Sequence, residues 1–383
     1  MEPTGPGGHA SGAAPATGGP GIYLHIPFCA HRCDYCSFAA WDDRHHLTDA
    51  YLAALATELD WVLAGLGAPV TSVFVGGGTP SQVPAPALSA LLGRIPLAPG
   101  AEVTVEVNPE DAGGELFATY CAAGVNRVSL GVQSMVPEVL ASLGRRHRSS
   151  AVGPAVAAAR SAGIGQVSCD LIYGAAGESI TQWRRTLDAV VALGPDHISA
   201  YALTVEAGTP LADAPSRHPD DDDQAAKYRL ADAVLTQAGM ANYEISNWAV
   251  PGAECRHNQL YWAQGEYWGV GCGAHSHVGG RRWWNVRTPE RYVALVERGD
   301  APEAGSEQLS DPERVLEGLQ LAVRTRAGVP AAALSADDAT GVLAPLVEHD
   351  GDRLRLTLDG RLLANEVAIR LRPPPGGVRP PGG

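Results

Sequence analysis

Short apolar runs recur along the first half of the chain at residues 21–26, 71–75, 102–107, 127–132, 166–173 and 197–203, with helical patterns between them. The clearest helical pattern spans 48–66, where Leu52, Leu55, Leu59, Val62 and Leu66 fall on one stripe. Six strand–helix units in register predict an α/β fold with a parallel sheet, right-handed crossovers and a closed or partly closed barrel. In that architecture chemistry gathers at the C-terminal ends of the strands. The polar features of this region obey that rule. A cysteine loop follows the first run, Gly76-Gly-Gly-Thr-Pro80 follows the second, Glu106 ends the third, Gln133 lies just past the fourth and Asp170 sits in the fifth.

Beyond residue 205 the pattern changes. The acidic, proline-rich stretch 213–223 reads as a loop, and Asp220–Asp223 as the solvated first turn of a helix over 224–239. Residues 206–300 read as a linker and extension rich in Tyr, Trp, His and Asn. Residues 301–371 read as a helical module ending in a hairpin-like run at 352–360, a winged-helix-like α+β arrangement. Residues 1–20 and 372–383 are rich in Gly, Pro and Ala and read as disordered tails. At 383 residues and 45% hydrophobic content the chain accommodates a barrel and a smaller module. A net charge of −14 argues against a nucleic-acid partner held by general electrostatics, and no apolar run reaches membrane-spanning length.

The cysteine loop carries the sharpest chemistry. Cys29, Cys33 and Cys36 stand in a CX3CX2C run, three thiolates that can hold three irons of a four-iron cluster and leave the fourth open. Zinc would ask for a second cysteine pair. A disulfide framework sits badly with seven cysteines, an odd number, and no secretory signal, so a reducing cytoplasmic setting is expected. The spacing, with aromatic Tyr35 before the last cysteine, resembles the signature of radical S-adenosylmethionine (SAM) proteins. In those proteins the methionine nitrogen and carboxylate chelate the open iron.

The other candidates each have a plainer reading. The glycine run suits close backbone approach to a ligand, or merely a tight strand-to-helix turn. Glu106 and Asp170 are carboxylates on otherwise apolar strands. Burial there requires a partner: a ribose, a ligand ammonium, or an internal arginine. Arg145 offers a planar fork for a carboxylate, while its basic neighbours are also explained as a coat on a helix end.

Taken together, Tyr23-Leu-His-Ile-Pro-Phe-Cys29, the cysteine triad, Gly-Gly-Gly-Thr-Pro, Thr104–Pro109, Leu130–Ser134, Asp170–Gly174, Ser199–Leu203 and Tyr243–Trp248 resemble the oxygen-independent coproporphyrinogen III oxidase family over nearly all of residues 21–371. The resemblance implies a partial (β/α)6 radical SAM barrel. It also implies a [4Fe-4S] cluster on Cys29, Cys33 and Cys36. SAM contacts would come from Tyr23, Gly77, Gly78, Thr79, Glu106, Gln133, Arg145, Asp170 and Ala202, with Tyr35 beside the cluster. True oxidases of the family carry a fourth cysteine two residues after the third, and Phe38 stands there. The heme-chaperone branch lacks that cysteine and carries His-Asn-X-X-Tyr-Trp, matched by His257-Asn-Gln-Leu-Tyr-Trp262.

That branch implies a protein that binds heme and passes it to acceptor proteins, with His257 as the candidate iron ligand. His257, Tyr261 and Trp262 could flank a porphyrin if the segment is helical. For a histidine taken in isolation, a surface role is the plainer reading. Cys255 is a weaker alternative, and His275 and His277 form a second candidate pair. The rival function is the oxidase itself, with a porphyrinogen as substrate and Arg145, Arg146 and Arg148 receiving its carboxylates.

Overall fold

The computed structural model describes residues 18–374. Most of both expected tails therefore lies outside the described residues. Strands β1 (Gly21–Ile26), β2 (Val70–Gly77), β3 (Leu97–Val107), β4 (Arg127–Gln133), β5 (Gln166–Tyr173) and β6 (His197–Ala202) pair in parallel in that order. Helices α1 (Thr48–Ala64), α2 (Ala85–Leu92), α3 (Gly114–Ala122), α4 (Pro137–Ser142), α5 (Val152–Ser161) and α6 (Ile180–Val191) lie between them. The apolar residues of each strand, such as Val103, Val105, Val128, Leu130, Val167 and Leu171, are buried in one large core with Leu55, Leu88, Phe117, Val156 and Trp183 of the helices. The barrel is partial: β1 and β6 do not meet, and each takes other strands at its open edge.

Those strands come from the stretch read as a linker. After α7 (Asp221–Gln237) come β7 (Ala241–Glu244) and β8 (Asn247–Ala249), and β8 runs antiparallel to β6. Past α8 (Arg256–Trp262), β9 (Tyr267–Val270) pairs in parallel with β1 and is followed by β10 (His275–Val278) and β11 (Arg281–Asn285). Helix α9 (Pro289–Glu297) then leads to β12 (Glu303–Gln308), which closes the row against β11. The segment 206–300 is thus continuous with the sheet. β12, placed by sequence in the C-terminal module, is the sheet's edge strand instead. Unpaired backbone on β1 and β6 supplies the reason, because an open barrel must satisfy both of its edges.

Two local differences have clear causes. On α1 the buried face is Tyr51, Ala54, Leu55, Glu58 and Leu59, turned from the leucine stripe. Glu58 is buried because Asn285 Nδ2 (2.7 Å), Gly271 N (2.7 Å) and Tyr292 OH (2.5 Å) all donate to its carboxyl group. Near the C-terminus, the hairpin is β14 (Val347–Asp350) with β15 (Arg353–Leu356). The chain then turns helical at 358 because the Thr357 hydroxyl accepts from Gly360 N as an N-cap. Residues Asp220–Asp223 do open a helix: Asp220 caps α7, and Asp223 meets the buried Lys227 at 2.6 Å.

The rest of the C-terminal module comprises α10 (Asp311–Ala322), β13 (Val329–Pro330), α11 (Ala336–Thr340), α12 (Leu358–Leu362) and α13 (Ala364–Ala368). Its three strands form a separate antiparallel sheet. The module's own core includes Leu319, Val323, Leu354, Val367 and Leu371.

Candidate functional site

Alternate residues on the barrel strands are polar and point inward: Thr104, Glu106 and Asn108; Ser129 and Gln133; Ser168 and Asp170; His197, Ser199 and Tyr201. They line a cavity of about 720 Å3 that runs through the barrel. Every residue assigned above to the cluster, to SAM or to the His-Asn-X-X-Tyr-Trp histidine borders this one cavity: Cys29, Cys33, Cys36, Tyr23, Tyr35, Gly77, Gly78, Thr79, Glu106, Gln133, Arg145, Asp170, Ala202 and His257.

The cysteine loop leaves β1 and returns through a bridge between Phe28 and Trp41, with Cys29 N donating to Trp41 O at 3.0 Å. The glycine turn holds its base. Gly78 N donates to Ile26 O and Thr79 N to Phe28 O, both at 2.7 Å. No side chain fits there. A Cβ on Gly78 would lie 2.7 Å from Phe28 O, and Gly77 has φ 112° with the His25 ring 2.4 Å from where its Cβ would be. Two donors aim at the sulfurs: Thr79 Oγ1 at Cys29 Sγ (3.6 Å) and Arg145 Nη1 at Cys33 Sγ (3.4 Å).

The three cysteines are free thiols, and burial pushes Cys29 up to about 11 and raises Cys36 as well. Among the described residues no three metal-ligating side chains converge as a single ion requires. A four-iron cluster asks instead for one thiolate per iron, and sulfur-directed donors suit it. The residues present fit such a cluster.

Glu106 accepts a hydrogen bond from Gly77 N at 3.2 Å, and burial, helped by Asp170, pushes its carboxyl up to about 8. Asp170 accepts from Ser129 Oγ at 2.8 Å and is also raised by burial. The buried arginine of the plainer reading is Arg127. It gives its hydrogen bonds to Gln166 Oε1 and Ala253 O, and its nearest carboxylate is Glu102 at 4.0 Å. Among the described residues neither Glu106 nor Asp170 makes an ion pair, and both face the cavity as acceptors suited to hydroxyls or an ammonium.

Arg145 reaches Asn108 Oδ1 (3.0 Å) and Gly131 O (3.1 Å) as well as Cys33. Gln133 enters the cavity from a left-handed residue, φ 58°, at an irregularity in the β4–β5 pairing. The Tyr23 hydroxyl shares a hydrogen bond with His25 Nδ1 at 3.0 Å. Tyr35 packs against a small apolar cluster that includes Val136, Leu143 and Leu203.

The opposite, N-terminal mouth is floored by α8. The Glu102 carboxylate accepts from Arg256 N, His257 N and the Cys255 thiol, and so seats the helix. His257 and Tyr261 share a face as expected, but that face points into the barrel. His257 is 1% exposed, with Nδ1 bonded to Ser72 Oγ at 2.9 Å and Nε2 to Tyr261 OH at 2.7 Å. Burial lowers it to about 3. Both ring nitrogens are engaged, so in this structure His257 stands as a buried floor residue of the cavity. Cys255 is likewise buried. Arg146 and Arg148 are exposed and do not line the cavity, unlike Arg145.

Asn108, Ser129, Ser168, His197 and Ser199 were not singled out by sequence, although their two-residue alternation with buried apolar neighbours marked them. His275 is exposed, whereas His277 is buried with Nδ1 against Gly265 O.

A family model of the radical SAM superfamily matches residues 23–190. The heme chaperone HemW of Mycobacterium tuberculosis strain H37Rv is 47% identical over 377 residues, covering 94% of this chain and 97% of that protein. The heme chaperone HemW of Bacillus subtilis is 31% identical over 367 residues, covering 90% and 97%. The solved structure of Escherichia coli coproporphyrinogen III oxidase (HemN), described there as a radical SAM enzyme, aligns with a TM-score of 0.80 at 23% identity, covering 93% of this chain and 91% of that one. That likeness extends the shared fold through the C-terminal module. With the cysteine loop, the glycine turn and the barrel in place, these matches show that the chain belongs to the radical SAM superfamily and, within it, to the family of the HemW heme chaperones.

Proposed function

We propose that this protein binds heme and hands it to acceptor proteins, with a [4Fe-4S] cluster on Cys29, Cys33 and Cys36 and SAM at the C-terminal rim of the barrel. The observation that carries this reading is the 47% identity to a HemW heme chaperone along almost the whole chain. Phe38, in the position of the oxidase's fourth cysteine, agrees with it.

When bound, the cluster supplies an open iron for the amino and carboxylate groups of SAM. The chain's own part is to orient that ligand. Arg145 presents its guanidinium beside the cysteine loop, Glu106 and Asp170 offer acceptors deeper in the barrel, and the glycine turn lets backbone come close. Free thiols and the absence of any helix long and apolar enough to cross a membrane among the described residues agree with action in the cytoplasm.

The test is a heme titration of anaerobically cluster-reconstituted protein, read at the Soret band, followed by transfer to heme-free apomyoglobin. A parallel assay measures carbon dioxide release from coproporphyrinogen III. Saturable one-to-one binding with transfer and no decarboxylation is expected. Decarboxylation without specific heme binding would replace this reading with the oxidase.

A further inference from the structure

We propose that His147 is a positioning residue: it aims the Arg145 guanidinium at the sulfur of Cys33, and so sets the reduction potential of the cluster and its hold on SAM. The inference rests on the cluster and SAM placement proposed above.

The chain delivers both side chains to one corner. Helix α4 ends where Gly144, at φ 69°, turns the backbone, with Gly144 N donating to Ala141 O at 3.1 Å and Arg145 N to Leu140 O at 2.9 Å. A Cβ on Gly144 would lie 2.7 Å from Asp34 Oδ1, so the bare position lets the cysteine loop close on the helix end. Past that turn the residues alternate in facing. Arg146 and Arg148 are exposed, whereas Arg145 is half-buried and His147 buried.

Donor and acceptor rules allow one arrangement of the ring. His147 Nε2 lies 3.0 Å from Val132 O, which can only accept, so Nε2 carries the hydrogen. Burial and the Arg145 charge lower His147 to about 4, so the ring is neutral at pH 7 and Nδ1 keeps a lone pair. Arg145 Nε, which can only donate, sits 3.3 Å from that atom. Strand β4 thus fixes the imidazole, and the imidazole fixes the guanidinium.

Fixing Nε orients the other nitrogens, because the group is planar. Nη2 donates to Asn108 Oδ1 at 3.0 Å and to Gly131 O at 3.1 Å, which uses both of its hydrogens. Those two hold one corner, about which the plane could still tilt; His147 supplies the second point. Nη1 then meets Cys33 Sγ at 3.4 Å. One N–H of the five is left, on the same nitrogen, as a directed donor for an anionic oxygen of a ligand on the open iron. A hydrogen bond to a cluster sulfur also favours the more negative, reduced state and so raises the potential.

The experiment compares three variants by potentiometric EPR titration of the reconstituted cluster and by the SAM-induced change in its signal. His147→Phe keeps a flat ring and removes both nitrogens. His147→Asn keeps an acceptor oxygen as many bonds from Cβ as Nδ1, and His147→Gln keeps an amide N–H for Val132 O. The proposal expects His147→Phe and His147→Gln to lower the potential, by about tenfold in the reduction equilibrium or ~59 mV for one electron. SAM binding in both should weaken by about fivefold or more, and His147→Asn should restore most of each loss. Unchanged potential and SAM affinity in a loaded His147→Phe overturn the proposal. Restoration by His147→Gln rather than His147→Asn also overturns it and leaves His147 a pin between the loop and β4. Nitrogen NMR of the unaltered, cluster-free chain is expected to show the Nε2–H tautomer. The Nδ1–H tautomer overturns the proposal even where the variants load no cluster. Only an unaltered protein without a SAM-responsive cluster would bring down the cluster reading as well.

Discussion

His257→Ala separates a floor residue from a heme ligand. The substitution strips Ser72 Oγ and Tyr261 OH of their partner and removes a ring stacked on Phe74, with centroids 5.7 Å apart, and edge-on to Tyr261. Each orphaned buried hydroxyl costs about 1–3 kcal/mol, and the vacated ring adds a cavity term, so destabilisation of about 3–5 kcal/mol is expected. That is a large part of the 5–15 kcal/mol typical of a whole domain. Urea unfolding of the cluster-free protein should show it as an earlier midpoint.

Heme bound per folded chain, measured at low temperature without urea, should not change. The acid limb gives a second readout. His257 sits near 3 when folded and near 6.5 when unfolded, so the unfolded chain takes the proton first. Its penalty to the fold begins as pH drops through about 6.5 and is complete near 3. His257→Phe should flatten that part of the pH–stability curve. An unchanged unfolding midpoint together with loss of the Soret band in His257→Ala would refute the reasoning and return the imidazole to the iron.

Glu106→Gln should stabilise the ligand-free protein at pH 8 but not at pH 4.5. Its folded value of about 8 lies above the ordinary 4.5, so stability is lost as pH rises between them, by about 3–5 kcal/mol on urea titration, while SAM binding weakens. Gly78→Ala should lower cluster occupancy, read by iron and sulfide analysis, and cost about 2 kcal/mol or more, because the new methyl meets backbone oxygens of Phe28 and Ile26 that cannot swing away. Arg145→Gln should weaken SAM binding by about tenfold or more, followed by the SAM-induced shift in the cluster EPR signal. A buried, charge-bearing fork is lost there, and an unchanged affinity would place the ligand carboxylate elsewhere.

The rim was legible because its residues break rules that strands otherwise keep. Glu106 and Asp170 interrupt apolar runs, and Gly76–Gly78 form a run of bare backbone where strand packing would ordinarily ask for side chains. The floor was harder to read. Helical spacing correctly put His257 and Tyr261 on one side of α8, but spacing does not say which way a helix face turns. Only the docking of α8 on Glu102, far away in sequence, settles that. The inner wall was hidden for another reason. Ser129, Ser168 and Ser199 alternate with apolar residues as on any half-exposed strand, and the polar side proved to be the inside. On α1, nothing local marks Glu58 as buried, because its three donors come from positions around 271–292. The strands β7–β11 are too short for periodicity to separate them from loop.

The pairing of β9 with β1 also sets an order of events at the ribosome. Gly21 waits for Tyr267, which is made roughly 250 residues later, on the order of half a minute of synthesis. Through that interval β1 has a bare edge, and the cysteine loop it carries lacks the neighbours that pin it, Gly273 and Arg287. The first chemistry-bearing segment to emerge is therefore among the last to be fixed. Iron and sulfide delivered to the nascent chain would meet thiols held only at the base of their loop, beside an adhesive strand. Delivery after release would meet a finished loop, so the topology favours loading the cluster once translation has ended.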